Sequence, residues 1–473
     1  MIKSYPHQTE ILEMSRSKPA LALLWEMGTG KTKGMIDILR DKCNQHRRIM
    51  PTVIFSPPVT LYNWKEEFLK FSNIKEEHIL VLSKSGKKRL QAIQTAIGRN
   101  KIILVNYESV LNDDFYNHLK AFRPQIIVCD ESHYIKSYKS KRAKRIIALG
   151  KDVPYKYILT GTPILNSIED IFMQYKFLDH GATFGKVYIT FRNVYMVDEN
   201  ARWAGSPNYF PKWRPRKEKY DELHKRIFRC ATRVLKKDCL KDLPPLVKTK
   251  RYVELSAEQA KHYKHMKRDF VTFLEKDGET KAAIASIALT KALRLMQIIS
   301  GHVVTDKGET IEFHNTPRIK ALQELLEELT PCHKVIVWCS FRSNYKQISK
   351  VCEKLKVKYT LLTGEQNEEQ KREAMHLFRE HKDYRVIIAN RRAGGIGVNL
   401  VESGYSIVYS RNFSLGEEKQ SEARNHRAGS EIHDRIVKID LCARDTIDEQ
   451  IIEALSGKEL TSNQIINIVR GQK

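Results

Sequence analysis

Gly28-Thr29-Gly30-Lys31-Thr32 is a short stretch whose residue types can hold a triphosphate. Two glycines let the backbone curl until its amides face anionic oxygens, Lys31 adds a point charge for the outer phosphates, and the Thr32 hydroxyl can ligate Mg²⁺. The stretch follows the apolar run Leu21-Ala-Leu-Leu24, so it stands where a strand turns into a helix. Trp25 occupies the place of the first glycine in the general phosphate-loop pattern GxxxxGK[ST], yet the remaining Gly-x-Gly-Lys-Thr keeps the chemistry.

Ile126-Ile-Val-Cys-Asp130-Glu131 supplies a second part, an apolar strand ending in two adjacent carboxylates. Asp130 can hold Mg²⁺ through water, and Glu131 can orient and deprotonate the water that attacks a phosphoanhydride. Glycine-rich turns and acidic strand ends are each common alone. Each following a strand, and in this chain order, the two together point to an NTPase.

These residues need a scaffold that ends strands side by side. Up to about residue 180, short apolar runs alternate with helical patterns: Leu21 to Leu24, Val53 to Phe55, Ile79 to Leu82, Ile102 to Val105, Ile126 to Cys129 and Tyr157 to Leu159. That alternation predicts an α/β lobe with a doubly wound parallel sheet. From Asp179 to Asn315 there are few strand-like runs, many basic residues and helical patterns over 257–275 and 281–300. A second alternating block opens at Thr316-Pro317, a helix start with Ile319, Leu322, Leu325, Leu326 and Leu329 on one face. Its strands are expected at Val335 to Cys339, Tyr359 to Leu362, Val386 to Ala389, Ile407 to Tyr409 and Ile436 to Ile439. The expected organisation is lobe 1 over 1–180, a mainly helical basic insertion and linker over 181–315, and lobe 2 over 316–473.

Lobe 2 has no phosphate loop of its own. It does carry Gln420-Ser-Glu-Ala-Arg424-Asn-His-Arg427-Ala-Gly429, read as a helix with two arginines three apart on one face. Arginines delivered to a γ-phosphate from a separate lobe stabilise transition-state charge and link hydrolysis to closure.

The 473 residues, 41% of them hydrophobic, suffice for two cores. A net charge of +26, spread over many short basic clusters, favours a polyanionic partner, nucleic acid before membrane. No apolar run approaches the ~20 residues of a spanning helix, and Met1-Ile-Lys-Ser-Tyr-Pro6 lacks a signal-peptide core, so a soluble cytoplasmic protein is expected. The eight cysteines form no Cys-x-x-Cys pair, which argues against zinc and suits a reducing compartment.

With these residues in place, the chain resembles the superfamily 2 helicase-like ATPases, and among them the Swi/Snf family of DNA translocases. The phosphate loop and Asp130-Glu-Ser-His133 resemble motifs I and II, and Tyr5-Pro-His-Gln8 the segment whose glutamine reads the adenine edge. Val53 to Pro57 with Asn63-Trp64-Lys-Glu-Glu-Phe68 is similar to motif Ia, Asn106-Tyr-Glu108 to motif Ib, and Leu159-Thr-Gly-Thr-Pro-Ile-Leu-Asn166 to motif III. Ile135-Lys136 follows motif II as in the family, and Arg233 to Pro244 resembles the basic segment that precedes its second lobe. Val386 to Leu400 is similar to motif V and Gln420 to Gly429 to motif VI. Ser132 stands for the usual alanine of motif II, Ser430 for a frequent glutamine, and Trp25 and Thr29 depart from the commonest motif I residues.

The resemblance implies two RecA-like lobes, ATP and Mg²⁺ as cofactors, and DNA as partner of a monomeric motor. Lys31, Asp130, Glu131, Arg424 and Arg427 are then catalytic. Gln8, Gly28, Thr29, Gly30, Lys31, Thr32 and Asp130 bind nucleotide, with Thr32 and Asp130 on the metal. Ser56, Thr160 and Thr162 of lobe 1, and Arg392 and Asn399 of lobe 2, are expected to grip phosphates of one DNA strand, which carries no sequence information and suits a motor. Gly394, Gly395 and Gly397 are expected to join that grip. Lys212, Arg214, Arg216, Lys217, Lys219, Lys225 and Arg226, with Trp213 and Tyr220 among them, could brace the second strand, or Trp203, Phe210 and Trp213 could form a small core under the insertion. The expected activity is ATP-dependent translocation or remodelling on duplex DNA. Its competitors are a strand-separating or annealing helicase, an RNA-directed motor, and a nucleic-acid scaffold without hydrolysis. The compactness fits a viral or bacterial protein.

Overall fold

A computed structural model of the chain describes residues 4–83, 86–161, 163–164, 167–203, 205, 211–239, 243–275, 281–304, 309–391 and 398–455. These fall into two units, Met1–Lys241 and Asp242–Lys473, each built on its own parallel sheet.

The first six strands are β1 (Ala20–Trp25), β2 (Thr52–Phe55), β3 (Ile79–Leu82), β4 (Ile102–Val105), β5 (Ile126–Asp130) and β6 (Tyr155–Leu159), all at the apolar runs. A parallel strand covered on both faces must be apolar along its whole length, and the two faces here fill two cores. Leu21, Leu23 and Trp25 pack with Ile54, Val128 and Leu159; Ala22 and Leu24 pack with Val53, Phe55 and Ile127. After these come a short antiparallel pair, β7 (Met196–Asp198) with β8 (Trp213–Pro215), and then β9 (Ala231–Val234). The sheet order is β3-β4-β2-β5-β6-β1-β9, so β6 lies between β1 and β5, and β9 flanks β1.

The second unit contains β10 (Leu246–Val253), the antiparallel pair β11 (His302–Val304) and β12 (Thr310–Glu312), then β13 (Val335–Cys339), β14 (Lys358–Leu362), β15 (Tyr384–Asn390), β16 (Tyr405–Val408) and β17 (Ile436–Ala443). Its parallel sheet runs β10-β17-β16-β13-β15-β14. The helix Pro317–Leu329 starts as its sequence dictates: Thr316 caps it, proline occupies its first turn, and Leu322, Leu326 and Leu329 are buried. Helices Ala257–Glu275 and Lys281–Ile299 also form.

The span 181–315 holds more strand than its composition suggested. β9 joins the first sheet and β10 the second, so this span is shared between the two units. β10 is an edge strand with six consecutive exposed residues, and Lys248, Lys250 and Arg251 erase any apolar signature.

Candidate functional site

The phosphate loop links β1 to the helix Lys31–Gln45, and its shape rests on two left-handed glycines, Gly28 at φ +83° and Gly30 at φ +82°. The positive φ of Gly30 favours glycine, and a Cβ there would meet Gln8 Nε2 at 2.5 Å and displace the end of that side chain. Lys31 Nζ donates to the carbonyls of Trp25 (2.9 Å) and Glu26 (3.1 Å), which holds the ammonium across the loop. Thr29 is wholly buried and donates its hydroxyl to Glu26 O at 2.8 Å.

The helix Pro6–Ser17 braces this loop from outside. Gln8 accepts the Tyr5 N–H at Oε1 (2.9 Å) and donates Nε2 to Gly30 O (3.1 Å), so both halves of its amide hold backbone. His7 Nε2 donates to Thr29 O at 2.9 Å, and burial pushes that imidazole below its ordinary pKa. Trp25 is wholly buried, sits edge-on to His7, and donates its indole N–H to Thr232 Oγ1 on β9 at 2.8 Å. Its bulk lies against Gly34, where a Cβ would be 3.1 Å from the ring. The large residue in place of the first loop glycine is thus absorbed by core packing.

Asp130 ends β5, and one of its oxygens, Oδ2, accepts the Ser56 hydroxyl (2.9 Å) and the Trp64 indole N–H (2.8 Å). Burial and the neighbouring Glu131 raise the Asp130 carboxyl, while Trp64, Ser56 and the Lys31 ammonium pull it back. The Lys31 ammonium thus acts on the carboxylate from the phosphate loop, which lies along the same edge of the sheet. Glu131 adopts φ +53°, a left-handed conformation costing a non-glycine residue about 1–3 kcal/mol. His133 Nδ1 stands 3.4 Å from its carboxylate.

Motifs Ib and III converge on the same strand ends. Tyr107 donates its hydroxyl to Asp130 O at 2.6 Å and stacks on Tyr134. Gly161 follows β6, and a Cβ there would lie 3.2 Å from Trp25 O and 3.4 Å from Met27 N, so it packs on the phosphate loop. Ser132, in place of alanine, donates to Gln174 Oε1 at 2.6 Å; Gln174 Nε2 donates to Pro163 O (2.7 Å) and Asp170 O (2.8 Å).

Of the residues expected on DNA, Ser56 is wholly buried, with its hydroxyl given to Asp130 and its N–H to Val105 O. Its place is beneath the carboxylate. Thr160 is also buried, at the end of β6. Thr162, Arg392, Gly394, Gly395 and Gly397 lie outside the described residues, as does Phe210. Asn399 gives its carbonyl to Arg379 (3.0 and 2.7 Å), while its Oδ1 is buried without a hydrogen-bond partner among the described residues.

Sequence reasoning missed several residues of these clusters. Trp64 is 66 positions from the Asp130 carboxylate it serves, and Gln174 is 42 from Ser132. In the second unit, Ser340, Asn390 and Ser410 stand at or just past the carboxyl ends of β13, β15 and β16, linked through Asn344 and Tyr345: Ser410 Oγ accepts the Ser340 N–H (2.9 Å) and donates to Asn344 (2.8 Å), and Asn390 donates to Tyr345 OH (2.6 Å). The signal was available, because polar residues directly after apolar parallel strands sit where α/β sheets bind ligands.

The arginine segment departs from the expected continuous helix. The helix Leu415–Glu422 ends before Arg424, and Arg424 and Arg427 lie in the turns beyond it. Tertiary hydrogen bonds replace helical ones: Arg424 O accepts the Leu400 N–H (3.0 Å), Asn425 donates to Ser403 O (3.1 Å), and Gly429 turns at φ +101°. Arg424 is buried, with Nε donating to Gln420 O (3.0 Å) and Nη1 to Val398 O (3.3 Å).

Comparison with known proteins adds a family. A model of the SNF2-related domain matches residues 11–302, and one of the helicase conserved C-terminal domain matches residues 317–429. An uncharacterized ATP-dependent helicase, MG018, of Mycoplasma genitalium is 26% identical over 440 residues, 92% of this chain and 39% of that protein. The CHD3-type chromatin-remodeling factor PICKLE of Arabidopsis thaliana is 24% identical over 509 residues, 99% of this chain and 34% of that protein. The chain thus spans little more than a third of these relatives. Among solved structures, the Sulfolobus solfataricus SWI2/SNF2 ATPase core in complex with dsDNA is 23% identical, with a TM-score of 0.44, covering 99% of this chain and 95% of that one.

Proposed function

The chain belongs to the SNF2-related family of superfamily 2 helicase-like proteins, and from that premise we propose that it is a DNA-dependent ATPase that couples hydrolysis to movement along one strand of duplex DNA. The observation that carries this reading is that the Lys31 loop after β1 and the Asp130-Glu131 pair ending β5 lie at the same edge of one parallel sheet, with only β6 between them.

In this reading the amides of Gly28, Thr29 and Gly30 cradle the phosphates, Lys31 leaves its loop carbonyls for the outer phosphates, and Gln8 serves the adenine. One carboxylate and one hydroxyl, Asp130 and Thr32, suit Mg²⁺, which usually takes its other ligands from water and phosphate oxygens. Bound there, the ion would offset charge on the phosphate oxygens. Ser56 and Trp64 both donate to Oδ2 of Asp130 and would hold its carboxylate in place for the ion. Glu131 orients the attacking water, and Arg424 and Arg427 neutralise the charge that develops on the γ-phosphate. Thr162, Arg392 and Asn399 hold strand phosphates, while the buried Thr160 shapes the end of β6. A net charge of +26 supports a polyanionic partner.

The test is ATP turnover against duplex, forked and single-stranded DNA and duplex RNA. Duplex DNA should stimulate most. Lys31→Ala and Glu131→Gln should lose turnover by orders of magnitude, about 10³-fold or more, while DNA binding persists; unchanged turnover in both sinks the reading. The β7–β8 hairpin, with Lys212, Trp213 and Arg214 at its second strand, supports a second reading as a strand-separating motor. Unwinding of forked DNA without displacement of a triplex strand would favour that alternative.

A further inference from the structure

The helix Leu415–Glu422, which leads into Arg424 and Arg427, has the sequence Leu-Gly-Glu-Glu-Lys-Gln-Ser-Glu and carries no apolar stripe. Hydrophobic packing cannot fix its position; buried charge does. Glu418, its side chain 8% exposed, meets Arg391 Nη2 at 2.5 Å and Lys438 Nζ on β17. Lys438 also reaches Glu422 at 2.8 Å, and Arg391 donates to Ser421 Oγ at 3.0 Å. Arg411 pairs with Asp440 at 2.8 Å beside them. Burial alone would raise the Glu418 carboxyl, but Arg391, Arg411 and Lys438 overcome that and hold it well below the usual carboxylate range.

Taking such charges out of water costs several kcal/mol per ion, and apolar side chains of the same volume would stabilise the fold as well. What the pairs supply is geometry, since Glu418 is held between Arg391 and Lys438. Arg391 follows β15 directly and lies within the motif V segment, so the Arg391–Glu418 pair fastens the arginine-bearing segment to motif V. The bonds from Arg424 to Val398 O and from Leu400 N–H to Arg424 O continue the same seam.

We propose that Glu418 and Arg391 are positioning residues, which set where Arg424 and Arg427 are delivered without touching nucleotide themselves. The inference rests on the ATPase reading above. It is tested on the full chain with saturating duplex DNA, measuring kcat and KM for ATP and the affinity for a fluorescent ATP analogue. Glu418→Gln and Arg391→Met should lower kcat by about 10–100-fold, the scale of a misplacement near 1 Å. KM and analogue affinity should stay within about two-fold of wild type, because nucleotide binding is uniform across these variants. Glu418→Asp should recover part of the rate, and the Glu418→Gln/Arg391→Met double variant should be no slower than the worse single one.

Ser421→Ala is the milder variant should those fail to fold, since it removes one bond to Arg391 and keeps every charge; it should lower kcat by a few-fold at constant KM. Wild-type kcat in folded Glu418→Gln, or in Ser421→Ala where the former does not fold, overturns the positioning role alone. No hydrolysis by the wild-type chain with any nucleic acid overturns the ATPase reading and this role with it. Arg424→Ala, run in parallel, should be at least as slow as Glu418→Gln; a faster Arg424→Ala overturns a role exerted through that arginine.

Discussion

Trp64 Nε1 lies 2.8 Å from Asp130 Oδ2, joining residues 66 positions apart in the chain. The indole belongs to the helix Leu61–Phe71 of the motif Ia region, and the carboxylate is the proposed Mg²⁺ partner. Trp64→Phe keeps most of the buried ring and removes one donor from a buried carboxylate, a loss of about 1–3 kcal/mol. The Mg²⁺ concentration for half-maximal hydrolysis should rise several-fold. A Mg²⁺ titration of turnover checks this, and Ser56→Ala should act in the same direction because it removes the other donor to the same oxygen.

Gly30→Ala should weaken ATP binding by about 5–30-fold. Its Cβ would lie 2.5 Å from Gln8 Nε2, and its backbone would sit at φ +82°, where an L-residue costs about 1–2 kcal/mol. Gly86, also at positive φ but with nothing within 4 Å of a built Cβ, supplies the comparison: Gly86→Ala should lose stability without losing nucleotide. Calorimetric ATP titration and thermal melting separate the two effects.

What could be read from sequence follows from burial. Most of β1 to β6 and β13 to β17 were legible because strands covered on both faces are largely apolar runs, and β17 was legible from its apolar residues despite Lys438 and Asp440. β9 and β10 were not, since Ala-Thr-Arg-Val is too short and mixed to announce itself and Leu-Val-Lys-Thr-Lys-Arg-Tyr-Val lies on an edge. The phosphate loop and carboxylate pair were legible because their chemistry is local. Ser56, Trp64, Tyr107 and Gln174 act on that chemistry across 23 to 74 residues of chain, and only folding brings them to it. The end of the helix at Glu422 was hidden for the same reason, because Leu400 and Ser403 stop it from outside the segment.

Ser132 illustrates a substitution whose cost the sequence pattern misjudges. Alanine is usual at this place in the family, so Ser132→Ala reads as neutral. Here the hydroxyl satisfies the wholly buried Gln174 Oε1, and its removal should cost about 1–3 kcal/mol of unfolding free energy. Gln174→Ala should cost more, since it also removes the donor to Pro163 O. The double variant should cost less than the sum, because the two residues share one bond. Urea unfolding of the three variants decides it.

His302, in β11, gives the second unit a dependence on pH whose sign follows from its burial. Only 3% exposed, edge-on to Phe341 and 3.4 Å from Ser300 Oγ, it has its pKa pushed down to about 4 by desolvation. An unfolded histidine titrates near pH 6.5, so between about pH 6.5 and 4 the unfolded chain binds a proton that the folded chain refuses. Stability is fully present above the unfolded pKa and falls as pH drops through that window, by about 3 kcal/mol for the whole shift. His302→Gln removes the titration while keeping a polar side chain, so its unfolding free energy should vary less over the same window. Urea unfolding at pH 7, 6, 5 and 4.5 checks this, and equal slopes in wild type and variant would show that His302 stays protonatable in the folded chain.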